Sequence, residues 1–475
     1  MAESTRGPEQ GMPSPGGGSV AVWRGDPDYE ATRRRMVWNE RLPARYPDVI
    51  VTVASDADVV DAVQLARARG LRVAVRAGGH SWIGTSLRDG GMLIDLSQLS
   101  GVTVDAAARR AAAQPAIKNN ELVPALAQHG LAFPAGHCPT VGIGGYLLAG
   151  GQGWNQGGWG IACSNVVAID VVNADGELMT ADAQHYPDLL WAARGGGPGF
   201  PGVILRYRLR LFPPPSVIMQ SLYVYPLELV EAVVPWLART VPTLPSTVET
   251  LMLLALPPPS AAAQLGGPPR RYLTLWPVAY GDSAAETAAA LAPLDSCPVL
   301  DQALVRQVNT PVTWDDLFAV EAAVFPEGHR YDVGILWSDA DPTAVLSGLR
   351  DRLATAPSLL TEILVAVTGP PTVDPAAREM AYSMAAPLYV GCYSVWDNAA
   401  DDEANLRWHR ETLQSLAPVT RGHYMGETDL LASPTRAADS LAPGVWERLQ
   451  AVRRQYDPQG VFWGHIGQAE GSVQT

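Results

Sequence analysis

Gly136-His137-Cys138-Pro139-Thr140-Val141-Gly142-Ile143-Gly144-Gly145 is the stretch on which the reading of this chain turns. Upstream of it, Arg76-Ala77-Gly78-Gly79-His80-Ser81 makes a second such patch. Both are glycine turns placed after apolar, strand-like runs. Each carries one nucleophilic side chain, the imidazole of His80 and the thiol of Cys138. Glycine has no Cβ, so the backbone approaches a ligand closely at these turns. Two such loops predict a phosphate-bearing cofactor lying across them, cradled by backbone N–H groups. Singly, each residue has an ordinary reading, a turn histidine or a small buried hydrophobe. The pairing in one half of the chain favours a cofactor that is tethered as well as bound.

The chain has 475 residues, more than one hydrophobic core usually spans, which predicts two lobes. Apolar residues make up 47% and charged residues 17%, the balance of a globular protein. A net charge of −14 argues against nucleic acid, whose phosphates need Lys/Arg patches. No run of about 18 apolar residues is present, so no membrane span is expected. Residues 1–19 hold Pro and Gly without an apolar core, and read as a flexible tail rather than a signal peptide. The four cysteines, Cys138, Cys163, Cys297 and Cys392, have neither zinc-like nor disulfide-scaffold spacing. A cytoplasmic location fits that usage, and a structural metal does not.

Outward from the two loops, Val49 to Ala54, Val73 to Arg76 and Met92 to Leu96 read as strands. A helix capped by Ser55 or Asp56 runs through Ala57 to Ala66. This rhythm predicts an α+β nucleotide-binding lobe. Glu121 to His129 reads as a short helix, and Val166 to Val172 and Val203 to Leu211 as further strands. Pro213-Pro214-Pro215 punctuates the chain as a first boundary. Beyond it, strand-like runs alternate with Ala-rich helices, and Pro257 to Pro269 reads as a mobile surface loop. A strand returns around Tyr389 to Trp396, with helices from Asp401 to Ala417 and Trp446 to Gln455. Gly197-Pro198-Gly199-Phe200-Pro201-Gly202 has the letters of the dinucleotide fingerprint but the wrong flanks. A helix-like stretch precedes it and a strand follows, so it reads as a plain loop.

The paired loops resemble the flavin-binding signature of the vanillyl-alcohol oxidase superfamily, in its berberine-bridge-enzyme-like branch. The resemblance runs from about Tyr46 to Phe212 and resumes near Tyr424 to Gly467. It implies an α+β fold: a two-lobed PCMH-type FAD-binding domain plus a substrate domain with an antiparallel sheet covered by helices. On this reading 20–215 bind FAD, 216–425 form the substrate domain, and 426–475 return to the FAD-binding domain. It also implies FAD attached twice, through His80 to the 8α-methyl and through Cys138 to C6. The cofactor would rest on Arg76, Ala77, Gly78, Gly79, His80 and Ser81 of the first loop. Gly136, Cys138, Thr140, Val141, Gly142, Gly144 and Gly145 of the second would join them, with Gly150, Gly151 and Val203 nearby.

For chemistry, such enzymes pass hydride from a C–H bond to the flavin and use a base for the substrate's proton. The family pattern Tyr-x-Asn falls on Tyr424-Met425-Gly426, which keeps the tyrosine and has glycine in place of asparagine. Tyr424 is the first candidate base and Glu427 its substitute; Tyr331, Tyr389 and Tyr393 are weaker ones. Tyr146 faces the flavin or substrate, or packs in the core. Trp154 and Trp159 read as packing, and His423 and His465 have no assigned role. In relatives the residue three after the cysteine gates dioxygen, and here it is Val141, which is compatible with oxygen access. The resemblance therefore implies an oxidase that acts on a small molecule, with O2 as second substrate and H2O2 as product. The substrate would be a sugar, an aromatic alcohol, an amine or another natural product. The alternatives are a dehydrogenase with another acceptor, an oxidative cyclase of natural-product biosynthesis, and a catalytically silent flavoprotein.

Overall fold

Val49–Thr52 and Met92–Asp95 are nearly unbroken apolar runs, buried on both faces. That is the pattern of parallel strands. In a computed structural model, which describes residues 18–368 and 379–468, they pair in parallel. Met92–Asp95 pairs in parallel with Val73–Arg76, and Val20–Trp23 closes the far edge antiparallel. The tail expected over 1–19 lies outside the described residues except for Gly18 and Ser19. Helix Asp56–Ala68 makes the crossover, and the Ser55 side chain caps it by accepting the Asp58 N–H. The chain's last segment returns to this sheet. The Val73 N–H donates to the Val461 carbonyl at 2.7 Å, and the Trp463 N–H to the Val73 carbonyl at 2.9 Å.

A second sheet has five antiparallel strands in the order Val102–Asp105, Arg110–Ala113, Val203–Arg210, Val166–Val172 and Leu178–Asp182. Val203–Arg210 alternates buried apolar residues with arginines, as a half-buried strand must. The outward guanidinium groups meet Asp56, Asp170 and Asn165.

The third sheet has eight strands, all paired antiparallel, between Val217 and His423. Helices Val230–Thr240, Ala284–Leu291, Pro342–Leu353 and Asp402–Leu416 accompany it. Val233, Leu237, Leu346 and Trp408 pack with the sheet residues that face them. Period-two alternation sorts strand Leu388–Trp396 between its faces. Leu388, Val390 and Cys392 point to the helices, while Tyr389, Tyr393 and Val395 point the other way. There they meet Trp38 and Trp82 of the first lobe, together with Tyr424. The chain is thus α+β, with an antiparallel sheet covered by helices.

The structure differs from the sequence reading over Pro257 to Pro269. That segment contains helix Pro259–Leu265, whose Ala261 is fully buried. Proline suits a first helical turn, where its missing N–H costs nothing, and Ala261 packs beside Tyr272 and Phe318. Among the described residues no helix is long and apolar enough to cross a membrane.

Candidate active site

Strand Val73–Arg76 delivers the first glycine loop, and the second leads into helix Ile143–Leu148. The two meet backbone to backbone. A Cβ on Gly78 would stand 2.8 Å from the Gly142 nitrogen, and one on Gly142 would stand 3.0 Å from the Gly78 Cα. Only glycine on both sides permits that approach. We expect Gly78→Ala to push the loops apart, at an overpacking cost of about 1–3 kcal/mol. Thermal melting and the flavin-to-protein ratio check this, and unchanged values in both would refute it.

Both loops wall one cavity of about 1330 Å³ between the lobes. Small-molecule pockets commonly span about 300–1,000 Å³, so this one has room for a dinucleotide and a substrate together. His80 and Cys138 both line it. The Thr140 hydroxyl lies between them, 2.8 Å from His80 Nε2 and 3.7 Å from Cys138 Sγ. Trp38 stacks on the His80 ring with centroids 4.9 Å apart. Burial, with Lys118 and Arg76 nearby, pushes the imidazole down to about 3, so it is neutral near pH 7, with one ring nitrogen unprotonated. Burial pushes the Cys138 thiol up, and hydrogen bonds with Thr140 partly oppose this.

The other residues expected at the cofactor divide into two groups. Arg76, Ala77, Gly78, Gly79, Ser81, Gly136, Val141, Gly142, Gly144 and Gly145 line the cavity. The Arg76 guanidinium is paired with Asp95 at 2.9 Å and braces the loop's base. Gly150 and Gly151 lie behind the wall, against Tyr382 and Tyr146, and Val203 is fully buried beneath the parallel sheet. The Gly197 to Gly202 segment joins helix Pro187–Ala193 to strand Val203–Arg210, and His465 Nε2 holds it through the Gly196 carbonyl at 2.7 Å.

Tyr424 and Glu427 reach the same cavity from the substrate side. The Tyr424 hydroxyl oxygen accepts the N–H groups of Gly151 at 3.2 Å and Gln152 at 3.4 Å. These two donors favour the charged phenolate, but burial outweighs them and pushes the phenol up. A Cβ on Gly426 would stand 3.0 Å from the Tyr424 ring. The Tyr393 hydroxyl donates to Glu427 at 3.0 Å, and burial pushes the Glu427 carboxyl up. Tyr146 lines the cavity with its ring and donates its hydroxyl to the Pro134 carbonyl at 2.7 Å.

The sequence reading assigns no role to His137, Glu249 or Glu321, and all three line the cavity beside Glu427. His137 Nε2 lies 3.8 Å from Glu249 and its ring meets Trp154 edge-on at 4.2 Å. Glu249 also accepts the Gln156 N–H at 3.2 Å. Glu321 is 4% exposed. A signal for it was present: on helix Trp314–Val324 it falls on the stripe of Leu317 and Phe318, and those spacings face the core.

A family model described as FAD binding domain matches residues 47–182. The FAD-linked oxidoreductase nodO of Hypoxylon pulicicidum is 30% identical over 457 residues, which cover 94% of this chain and 97% of that protein. Among solved structures, BBE-like 1 of Physcomitrella patens superposes with a TM-score of 0.78 at 20% identity, over 95% of this chain and 98% of that one. The grass pollen allergen Phl p 4 superposes in two forms, each with a TM-score of 0.77 over 94% of this chain and 95% of that one. The wild type, 20% identical, is described as a glucose dehydrogenase, and an isoleucine-to-valine variant, 21% identical, as a glucose oxidase.

Proposed function

This chain belongs to the FAD-linked oxidoreductases of the berberine-bridge-enzyme-like family, and on that premise we propose that it is an oxidase carrying FAD bonded to both His80 and Cys138. The observation that carries this reading is the convergence of the two nucleophiles on one cavity wall, with the Thr140 hydroxyl between them. The residues present fit such a group. The Gly78–Gly142 contact closes the loops beneath it, the cavity is large enough, and the imidazole is neutral.

When bound, the flavin supplies a two-electron acceptor for a substrate C–H bond. The protein's own residues do the rest. Glycine backbone from both loops would lie against the cofactor, and Trp38, stacked on the His80 ring, fixes that ring's orientation. Tyr424 takes the substrate's proton on its oxygen when ionised; burial disfavours that phenolate, and the Gly151 and Gln152 N–H groups, which donate to the oxygen, favour it. Glu427, with Tyr393 hydrogen-bonded to it, is the adjacent proton acceptor.

Dioxygen is the proposed final acceptor because Val141, three residues after Cys138, lines the cavity without the extra methylene of isoleucine. The Phl p 4 pair, a dehydrogenase and an isoleucine-to-valine oxidase, supports that direction. Stopped-flow mixing of reduced holoenzyme with air tests it, together with a peroxide screen across alcohols, sugars, phenolics and amines. Val141→Ile is expected to slow reoxidation at least about tenfold, as a steric block at a well-packed site, with anaerobic reduction nearly unchanged. Equal reoxidation rates in the two proteins would remove the gate. Slow reoxidation of the wild type would favour the dehydrogenase.

A further inference from the structure

Three carboxylates and one imidazole share one part of the cavity wall. They come from separate elements: Glu249 from strand Val248–Ala255, Glu321 from helix Trp314–Val324, Glu427 from the segment after His423, and His137 from the second loop. Two of the carboxylates have hydrogen-bond partners. Glu249 holds the Gln156 N–H and faces His137 and Tyr280, and Glu427 accepts from Tyr393. Glu321 differs. It is nine-tenths buried and lines the cavity, and among the described residues its carboxyl accepts no hydrogen bond.

The charges that act on it do not balance. Glu249, Glu427, His137, Cys138, Tyr280 and, from strand Glu362–Val367, Glu362 are the titratable groups whose charges act on or feel Glu321. None is a lysine or arginine. Burial pulls His137 down, but the facing Glu249, Glu321 and Glu427 outweigh it and hold the imidazole above its ordinary range. A buried carboxylate without a cation is costly. A cationic ligand in the cavity would supply the charge that the wall lacks.

Beside Glu321 the wall is aromatic. Phe325, at the end of the same helix, lies 4.8 Å from Tyr393 between ring centroids, and Trp82 meets Tyr393 edge-on at 6.1 Å. Phe325, Tyr393 and Trp82 all line the cavity. Aromatic faces with a desolvated carboxylate make a receptor for an organic cation. A sugar or neutral alcohol would leave the charge unmatched.

We infer that this part of the cavity holds the cationic nitrogen of an amine substrate, between the Glu321 carboxylate and the wall of Phe325, Tyr393 and Trp82. The inference rests on the oxidoreductase reading and deepens it by naming the substrate class. Burial, with Glu427 and Glu249, pushes the Glu321 carboxyl up to about 7. Its affinity for a cation therefore grows as pH rises through that value and fades below it.

The test titrates holoenzyme, under argon, with benzylammonium and with its neutral isostere benzyl alcohol, reading the perturbation of the flavin absorbance. At about pH 8 the amine is still protonated, as alkylammonium groups are. The wild type is expected to bind the cation at least about tenfold more tightly than the alcohol, the scale of one buried charge contact. Glu321→Gln, which keeps the shape, is expected to shrink that preference to about threefold or less. The wild-type preference should also fade as pH falls below about 7, a readout that does not depend on the variant folding. Equal binding of the two probes, tighter binding of the alcohol, no binding of the amine at millimolar concentration, or a preference that survives both Glu321→Gln and acid would overturn the inference. The two readings fail separately. Peroxide release with neutral donors and no cation preference leaves the oxidase and removes the amine. Selective cation binding by an enzyme whose reduced flavin ignores air does the reverse.

Discussion

The doubly substituted protein, His80→Ala with Cys138→Ala, is expected to release all of its FAD on acid precipitation, whereas each single variant stays yellow. The two side chains reach the cavity from separate loops, which meet at Gly78 and Gly142 and through the His80–Thr140 hydrogen bond. Each therefore forms its bond without needing the other. Burial keeps His80 neutral, so its attacking lone pair is present throughout the physiological range. Cys138 is less reactive at rest because burial holds it as a thiol, which predicts that its bond forms more slowly than that of His80. Intact-mass spectrometry and flavin-bearing peptides check the attachment sites, and absorbance of the acid pellet checks retention. Free FAD in the supernatant of wild-type protein, or a double variant that keeps its colour, would refute the double tether.

Tyr424→Phe is expected to slow anaerobic flavin reduction by at least about tenfold, below the roughly 10²–10⁴-fold usual for a positioned general base. The substitution removes one oxygen from a ring that is 3% exposed. It also leaves the Gly151 and Gln152 N–H groups without their acceptor, which costs on the order of 1–3 kcal/mol for a buried donor. The rate must therefore be read beside the melting temperature and the flavin content. A normal flavin content with slow reduction assigns the proton to Tyr424. Reduction at the wild-type rate places the base elsewhere, and Glu427→Gln is then the variant to measure, since Glu427 is buried in the same cavity with Tyr393 on it.

Strands and loops near the N-terminus were legible because their signals are local. Val166–Val172 has the bounds that its apolar run predicts, and the Ser55 cap occurs where the sequence puts it. The Pro257 to Pro269 segment was misread because proline density resembles a loop, whereas Pro259 opens a helix that buries Ala261. Tyr389 and Tyr393 were visible as strand tyrosines, but which face they occupied depended on the register with Arg330–Ser338 and Glu362–Val367.

By itself the sequence determined the cofactor class and the two nucleophilic loops. Glycines beside a histidine and a cysteine after apolar strands are a short-range pattern, and backbone sterics read the same in any fold that presents them. Only the tertiary structure decided what faces those loops. It set the Gly78–Gly142 contact, the Tyr424 oxygen on the Gly151 and Gln152 amides, and the meeting of His137, Glu249, Glu321 and Glu427 in one cavity. Those groups are far apart along the chain. Their field on one another depends on distance and desolvation, which exist only after two lobes have closed around the cavity.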